Sequence, residues 1–143
     1  MILIDSGVIV AAAVSRDDNH RSCTDLLTSA LLADRRLLLP ATVTAEAGYL
    51  INHYAGPAEE ARLLESVADG DFEPVDLLPD DYERMAELVR QYDDFPLGTT
   101  DASVLALAER LGVTEIATTD RRHFAAVRVH HVDHLTLLPE RLG

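Results

Sequence analysis

Four carboxylates stand out because their neighbours are small or apolar. Asp5 ends the run MILID, and Glu46 is the only charge between Arg36 and His53. Asp101 lies at the start of TDASVLALAERL, and Asp120 follows TEIATT. A carboxylate in such a setting is costly to bury unless it is paired or coordinated. No cation stands four residues from Glu46, since positions 42 and 50 are Thr and Leu. Taken singly, each acid has an ordinary explanation. Asp5 and Asp120 suit helix caps or turns, and Glu46 suits a solvated helix face. Asp101 suits the first turn of a helix capped by Thr99 or Thr100. Taken together, three or four oxygen ligands in one groove suit a hard divalent cation such as Mg2+ or Mn2+. Two such ions about 3.5–4 Å apart can activate a water and stabilise the leaving oxygen of a phosphodiester. Without an ion, carboxylates this close repel one another and their pKa values rise.

The residues after Asp120 extend this chemistry. Arg121 and Arg122 are candidate substrate-phosphate contacts, because guanidinium matches phosphate oxygens in bidentate fashion. The alternative for each is an ion pair with a neighbouring carboxylate. His123 is a candidate general acid, although metal-activated water can supply the same proton chemistry. Phe124 reads as core, and Asp93-Asp94 as a solvated loop. His130, His131 and His134 lack the spacing and acidic partner of a zinc-protease helix.

These side chains need elements to position them. Short apolar runs at 1–5, 35–40, 72–77, 114–119 and 128–132 read as strands. Pro74 suggests that the third lies at a sheet edge. Helices are expected from about residue 8 and over 19–33, 42–54, 57–69, 79–92 and 100–111. Leu26, Leu27, Ala30 and Leu31 form the inner stripe of the second, and Cys23 lies on its apolar side. Val43, Ala47, Leu50, Ile51 and Tyr54 form that of the third. Gly56-Pro57 and Gly112 are stops. Strands alternating with helices predict a parallel sheet covered on both faces. Ligands then bind beyond the carboxyl ends of the strands, where strand order reverses. Asp5 and Asp120 both end predicted strands and are expected to share that edge.

Composition narrows the function. A single domain over 1–143 is expected. The net charge of −13 argues against a sequence-independent nucleic-acid binder. It leaves room for an enzyme whose bound cations meet phosphates. All 12 cations are arginine, which excludes a Walker-A lysine or a Schiff-base lysine. No apolar run is long enough to span a bilayer, and MILIDSG, with no basic residue and with Asp5 in its apolar run, is not expected to be a signal peptide. Cys23 is the one cysteine, so a reducing cytoplasm is the expected location.

Four motifs, in order along nearly the whole chain, carry a family resemblance: LIDSG, PATVTAEAGYLI, LGTTDASVLALAERLG and IATTDRRHF. The chain resembles the PIN-domain ribonucleases, in particular the VapC-like toxins of type II toxin–antitoxin pairs. The resemblance implies a three-layer α/β/α sandwich with a central, mostly parallel sheet. It implies a Mg2+- or Mn2+-dependent endoribonuclease leaving 5′-phosphate and 3′-hydroxyl ends. It also implies a homodimer and a VapB-like antitoxin partner. Asp5, Glu46, Asp101 and Asp120 match the family's catalytic, metal-binding quartet. The chain departs from the family at Gly7, where Ser, Thr or Asn is common. Ser6 is a candidate replacement, and Thr99, Thr100, Thr118 and Thr119 are candidate polar helpers. Two alternatives are a non-catalytic interaction module of the same fold and a phosphoryl-transfer domain using Asp5. The latter expects a second Asp at position 7 or a late lysine, and neither is present.

Overall fold

Short runs of three or four residues make the strands, apolar throughout in the two central ones. In the computed structural model, which describes residues 1–143, β1 (Ile2–Ile4) and β2 (Leu37–Pro40) are buried along their whole length. β3 (Glu73–Val75), β4 (Glu115–Ala117) and β5 (Thr136–Leu138) complete a five-stranded sheet in the order β3-β2-β1-β4-β5. Every pairing is parallel. Strands covered on both faces have no solvent side, so they read as continuous apolar runs.

Seven helices flank the sheet: α1 (Ser6–Ala13), α2 (His20–Leu32), α3 (Ala41–Ala55), α4 (Pro57–Ala68), α5 (Pro79–Gln91), α6 (Thr99–Leu111) and α7 (Arg121–Ala126). α1 packs on α2 and α3, α3 on α4, and α5 on α6. The result is the three-layer α/β/α sandwich that the alternation predicts. No helix is long and apolar enough to cross a membrane. α6 is buried from Ala102 through Ala108, because small residues let its neighbours approach closely. Gly112 ends it with φ of 67°, and Gly56 ends α3 with φ of 90°.

The order of strands locates the functional edge. The chain runs from β1 outward to β2 and β3, then returns to the other side of β1 for β4 and β5. Order therefore reverses between β1 and β4, and their carboxyl ends open on a crevice. β3, with Pro74, is an edge strand as expected.

Some expectations are corrected. The fifth strand is 136–138, not 128–132. The amides of Arg128 and His130 bond to the Tyr92 hydroxyl and the Glu109 carboxylate instead of a ladder. Thr136 N and Thr118 N join β4 and β5 through Thr114 O and Leu138 O. On α2 the buried stripe is Cys23, Leu27 and Ala30, at spacings of four and three, while Leu31 is exposed. Tyr54 is exposed near the end of α3. Thr99 and Thr100 do not cap α6; Gly98 holds that position without a side-chain bond.

Candidate metal centre

The ladder extends one residue past β1, because Asp5 N donates to Ala117 O at 2.9 Å. This holds Asp5 at the carboxyl edge beside the turn that carries Asp120. Asp5 stands at the cap position of α1 but makes no capping bond. Its Oδ2 accepts the Thr118 hydroxyl at 2.9 Å. Its Oδ1 is buried with no partner, in a side chain whose residue is 4 % exposed. The same Thr118 oxygen accepts the Asp120 amide at 2.9 Å. One buried hydroxyl thus sets the spacing of two acids from different strands.

Asp120 caps after all. Its Oδ1 accepts the His123 amide at 3.1 Å at the start of α7. Its Oδ2 faces His123 Nδ1. Asp101, in the first turn of α6, closes the group: single ligand atoms of Asp101, Asp120 and His123 all lie within 4.8 Å of one another. Glu46 stands on the exposed side of α3, and its Oε2 accepts the Ser6 hydroxyl at 3.0 Å. Ser6 is therefore committed to Glu46. The helices bearing Glu46 and Asp101 are tied by Thr42 and Ser103, whose hydroxyls are 2.6 Å apart. Ser103 spends its proton on Thr100 O, so Thr42 is the donor.

Burial and like charge shape the electrostatics. Asp5 is pushed up to about 6 from an ordinary 3.8, first by loss of water. The Thr118 hydroxyl and the Ser6 amide oppose the shift, and the charges of Glu46 and Asp120 add to it. Asp101 is pushed up to about 7, again mostly by burial, then by Asp5 and Asp120. His123 pulls it back and Glu46 adds a little. The arginine ion pairs of the chain all lie with other acids. The cluster is thus rich in oxygen, poor in cations and contains one orphaned buried carboxylate oxygen. That donor set fits a divalent metal ion.

Of the residues singled out in sequence, Asp101 and Asp120 are within ligand distance of each other. Asp5 joins them through Thr118, and Glu46 reaches the group through Ser6. Neither Arg121 nor Arg122 makes an ion pair. Arg121 Nη2 is buried without a partner, and the Arg122 guanidinium lies over the Phe95 ring, 4.9 Å from its centroid. His130 and His131 are engaged with Glu109 and Val113 O. Sequence reasoning missed the Thr42–Ser103 tie and the Ser6–Glu46 bond. It also missed His123 as a member of the acidic group. Only the Asp-to-His spacing of three, one helical turn, hinted at the last.

Comparison with known proteins agrees with this fold. The family model described as PIN domain matches residues 2–129. Ribonuclease VapC26 of Mycobacterium tuberculosis (strain ATCC 25618 / H37Rv) is 30% identical over 138 residues, covering 96% of this chain and 100% of the relative. The crystal structure of M. tuberculosis VapC20, a sarcin–ricin loop cleaving toxin, has a TM-score of 0.78 at 17% identity. It covers 92% of this chain and 98% of VapC20. VapBC2 from Rickettsia felis, bound to a DNA fragment from its promoter, has a TM-score of 0.66 at 17% identity, covering 96% and 97%. FitAcB from Neisseria gonorrhoeae has a TM-score of 0.57 at 20% identity, covering 85% and 88%. The chain belongs to the PIN-domain family and, within it, to the VapC-like ribonucleases.

Proposed function

We propose that this protein is the toxin of a toxin–antitoxin pair, an endoribonuclease that hydrolyses RNA phosphodiester bonds with the help of Mg2+ or Mn2+. One observation carries the reading: the buried, unpartnered Oδ1 of Asp5, set beside Asp101 and Asp120 with no arginine paired to any of them. Burying such a group costs free energy that the bonds from Thr118 and Ser6 offset only in part, since the Asp5 pKa stays raised.

In this reading Asp5, Asp101 and Asp120 hold the ion, and Glu46 completes the group from the rim of α3. A divalent ion held there would supply an activated water and would neutralise charge on the phosphate. Thr118 keeps Asp5 and Asp120 in register, and Ser6 orients Glu46. Arg121 and Arg122 bind substrate phosphate, which is supported by their freedom from ion pairs. A ribonuclease relative and a toxin structural neighbour support the RNA substrate. The VapBC2 neighbour supports a VapB-like antitoxin. The homodimer and the cytoplasmic location belong to the same proposal.

The test is cleavage of single-stranded and hairpin RNA with added Mg2+ or Mn2+. Cleavage is expected with metal, and it is expected to stop with EDTA or in the Asp5→Asn variant. Metal-independent cleavage, or full activity in Asp5→Asn, overturns the proposal. Light scattering checks the dimer.

A further inference from the structure

His123 is held more firmly than a solvent-facing histidine. Its amide and its Nδ1 both engage Asp120. Its ring packs against Phe95 with centroids 4.8 Å apart at 51°, and Phe95 in turn lies under Arg122. Residues from the 92–98 loop and from α7 therefore fix the imidazole before any ligand arrives. The ring is close enough to Asp101 to lower that carboxyl's pKa. Its nitrogen lies within 4.8 Å of a carboxylate oxygen on each of Asp101 and Asp120. Metal–nitrogen and metal–oxygen bonds of about 2.0–2.2 Å span about 4.0–4.4 Å across one ion. The three side chains are thus near enough to one another to share one cation. The buried orphan oxygen of Asp5 is an independent sign that a cation is wanted here.

We propose that His123 is a direct nitrogen ligand in this centre, with Asp101 and Asp120, and that it tunes the site toward Mn2+ over Mg2+. The inference rests on the reading of the acidic cluster as a metal site. Mg2+ prefers oxygen ligands and keeps its waters, whereas imidazole suits the first-row transition ions. A cluster of carboxylates alone has no such bias. One fixed nitrogen adds it. The imidazole binds as the neutral base, so any proton on the ligating nitrogen leaves to solvent as the ion enters.

The experiment is pulsed electron paramagnetic resonance on Mn2+ bound to the full chain, paired with calorimetric titration of Mn2+ and Mg2+. The wild type is expected to show nitrogen-14 modulation from imidazole, replaced by nitrogen-15 modulation when histidine is labelled. His123→Ala is expected to lose the modulation and to weaken Mn2+ binding about 10-fold or more, while Mg2+ binding changes much less. Mn2+ bound without nitrogen modulation in the wild type overturns the proposal and makes His123 a positioning residue for Asp120. Modulation that persists in both His123→Ala and Asp101→Asn overturns it too, since another histidine then supplies the signal. Those results leave the metal centre standing. Failure of the wild type to bind either ion removes the centre itself. The wild-type spectrum decides the question even if His123→Ala does not fold.

Discussion

Thr119 fills the side-chain space of Gly7: a Cβ on Gly7 would lie 2.3 Å from Thr119 Oγ1, with Thr119 Cβ at 3.5 Å. Ser6 does not take over that position, because its hydroxyl is bonded to Glu46. The hydroxyl at the first turn of α1 therefore comes from the turn after β4. Gly7→Ser is expected to destabilise the fold by about 1–3 kcal/mol, the usual cost of overpacking. Adding Thr119→Ala to Gly7→Ser is expected to recover most of that loss, so the two changes are strongly non-additive. Urea midpoints of the two single variants and the double variant check this. Additive losses would mean that the cost of Gly7→Ser does not arise from Thr119.

Thr118 is wholly buried and serves Asp5 and Asp120 with one oxygen. Thr118→Val keeps the shape and removes the hydroxyl. It leaves the buried Asp5 Oδ2 and the part-buried Asp120 amide without partners, at a cost of about 1–3 kcal/mol. RNA cleavage per folded molecule is expected to fall as well, since the two acids lose their common spacer. Thr118→Ser is expected to retain both. Thermal melts and initial rates on the same preparations separate stability from activity.

Asp5 and Asp101 titrate at about 6 and about 7, against an ordinary 3.8. Between these values the folded chain holds protons that the unfolded chain has released. Stability of the metal-free protein therefore falls as pH rises from about 4 to about 7 through these two groups. Their penalty is absent at lower pH and complete above. Asp101→Asn is expected to raise metal-free stability at pH 8 by roughly 1–2 kcal/mol, less than the full shift implies because the side chain is partly solvated. At pH 4 the variant and the wild type should match. Mn2+ at pH 8 is expected to stabilise the wild type and not the variant. Melts in EDTA and in Mn2+ at both pH values test the sign.

Asp81 is as buried as Asp5, at 2 % exposure, yet it has a different role. Its carboxylate takes Arg110 Nε at 2.9 Å and caps α5 by accepting Leu78 N at 2.8 Å. Asp81→Ala is expected to cost about 3 kcal/mol, the low end for a broken buried pair because Arg110 is 31 % exposed. Cleavage per folded molecule should be unchanged. A large loss of specific activity would show that α5 and α6 transmit strain to Asp101.

The edge of the site was legible in the sequence because its signals are local. An apolar run followed by Asp5, and Ile116-Ala117 followed by Thr118-Thr119-Asp120, state which end of each strand carries the acid. The spacing of apolar residues in α3 and α6 places Glu46 and Asp101 on helices. Side-chain partners were much less legible. Asp81 and Asp101 both lie in the first turn of a helix, and nothing in their neighbours tells the paired acid from the unpaired one. The strand expected at 128–132 failed for a similar reason: alternation shows that a segment packs, but not what receives its amides.

By itself the sequence determined the α/β alternation, the acids at strand ends and on helices, and the absence of any lysine to neutralise them. The tertiary structure decided that β4 returns beside β1, which brings Thr118 to Asp5 across 113 residues and, through Thr118, Asp120 to Asp5. It also decided that Arg110 goes to Asp81, that Thr119 fills the space at Gly7, and that His123 stands among the carboxylates. Periodicity assigns a residue to a face. Which groups meet across that face depends on strand order and close packing of the whole chain.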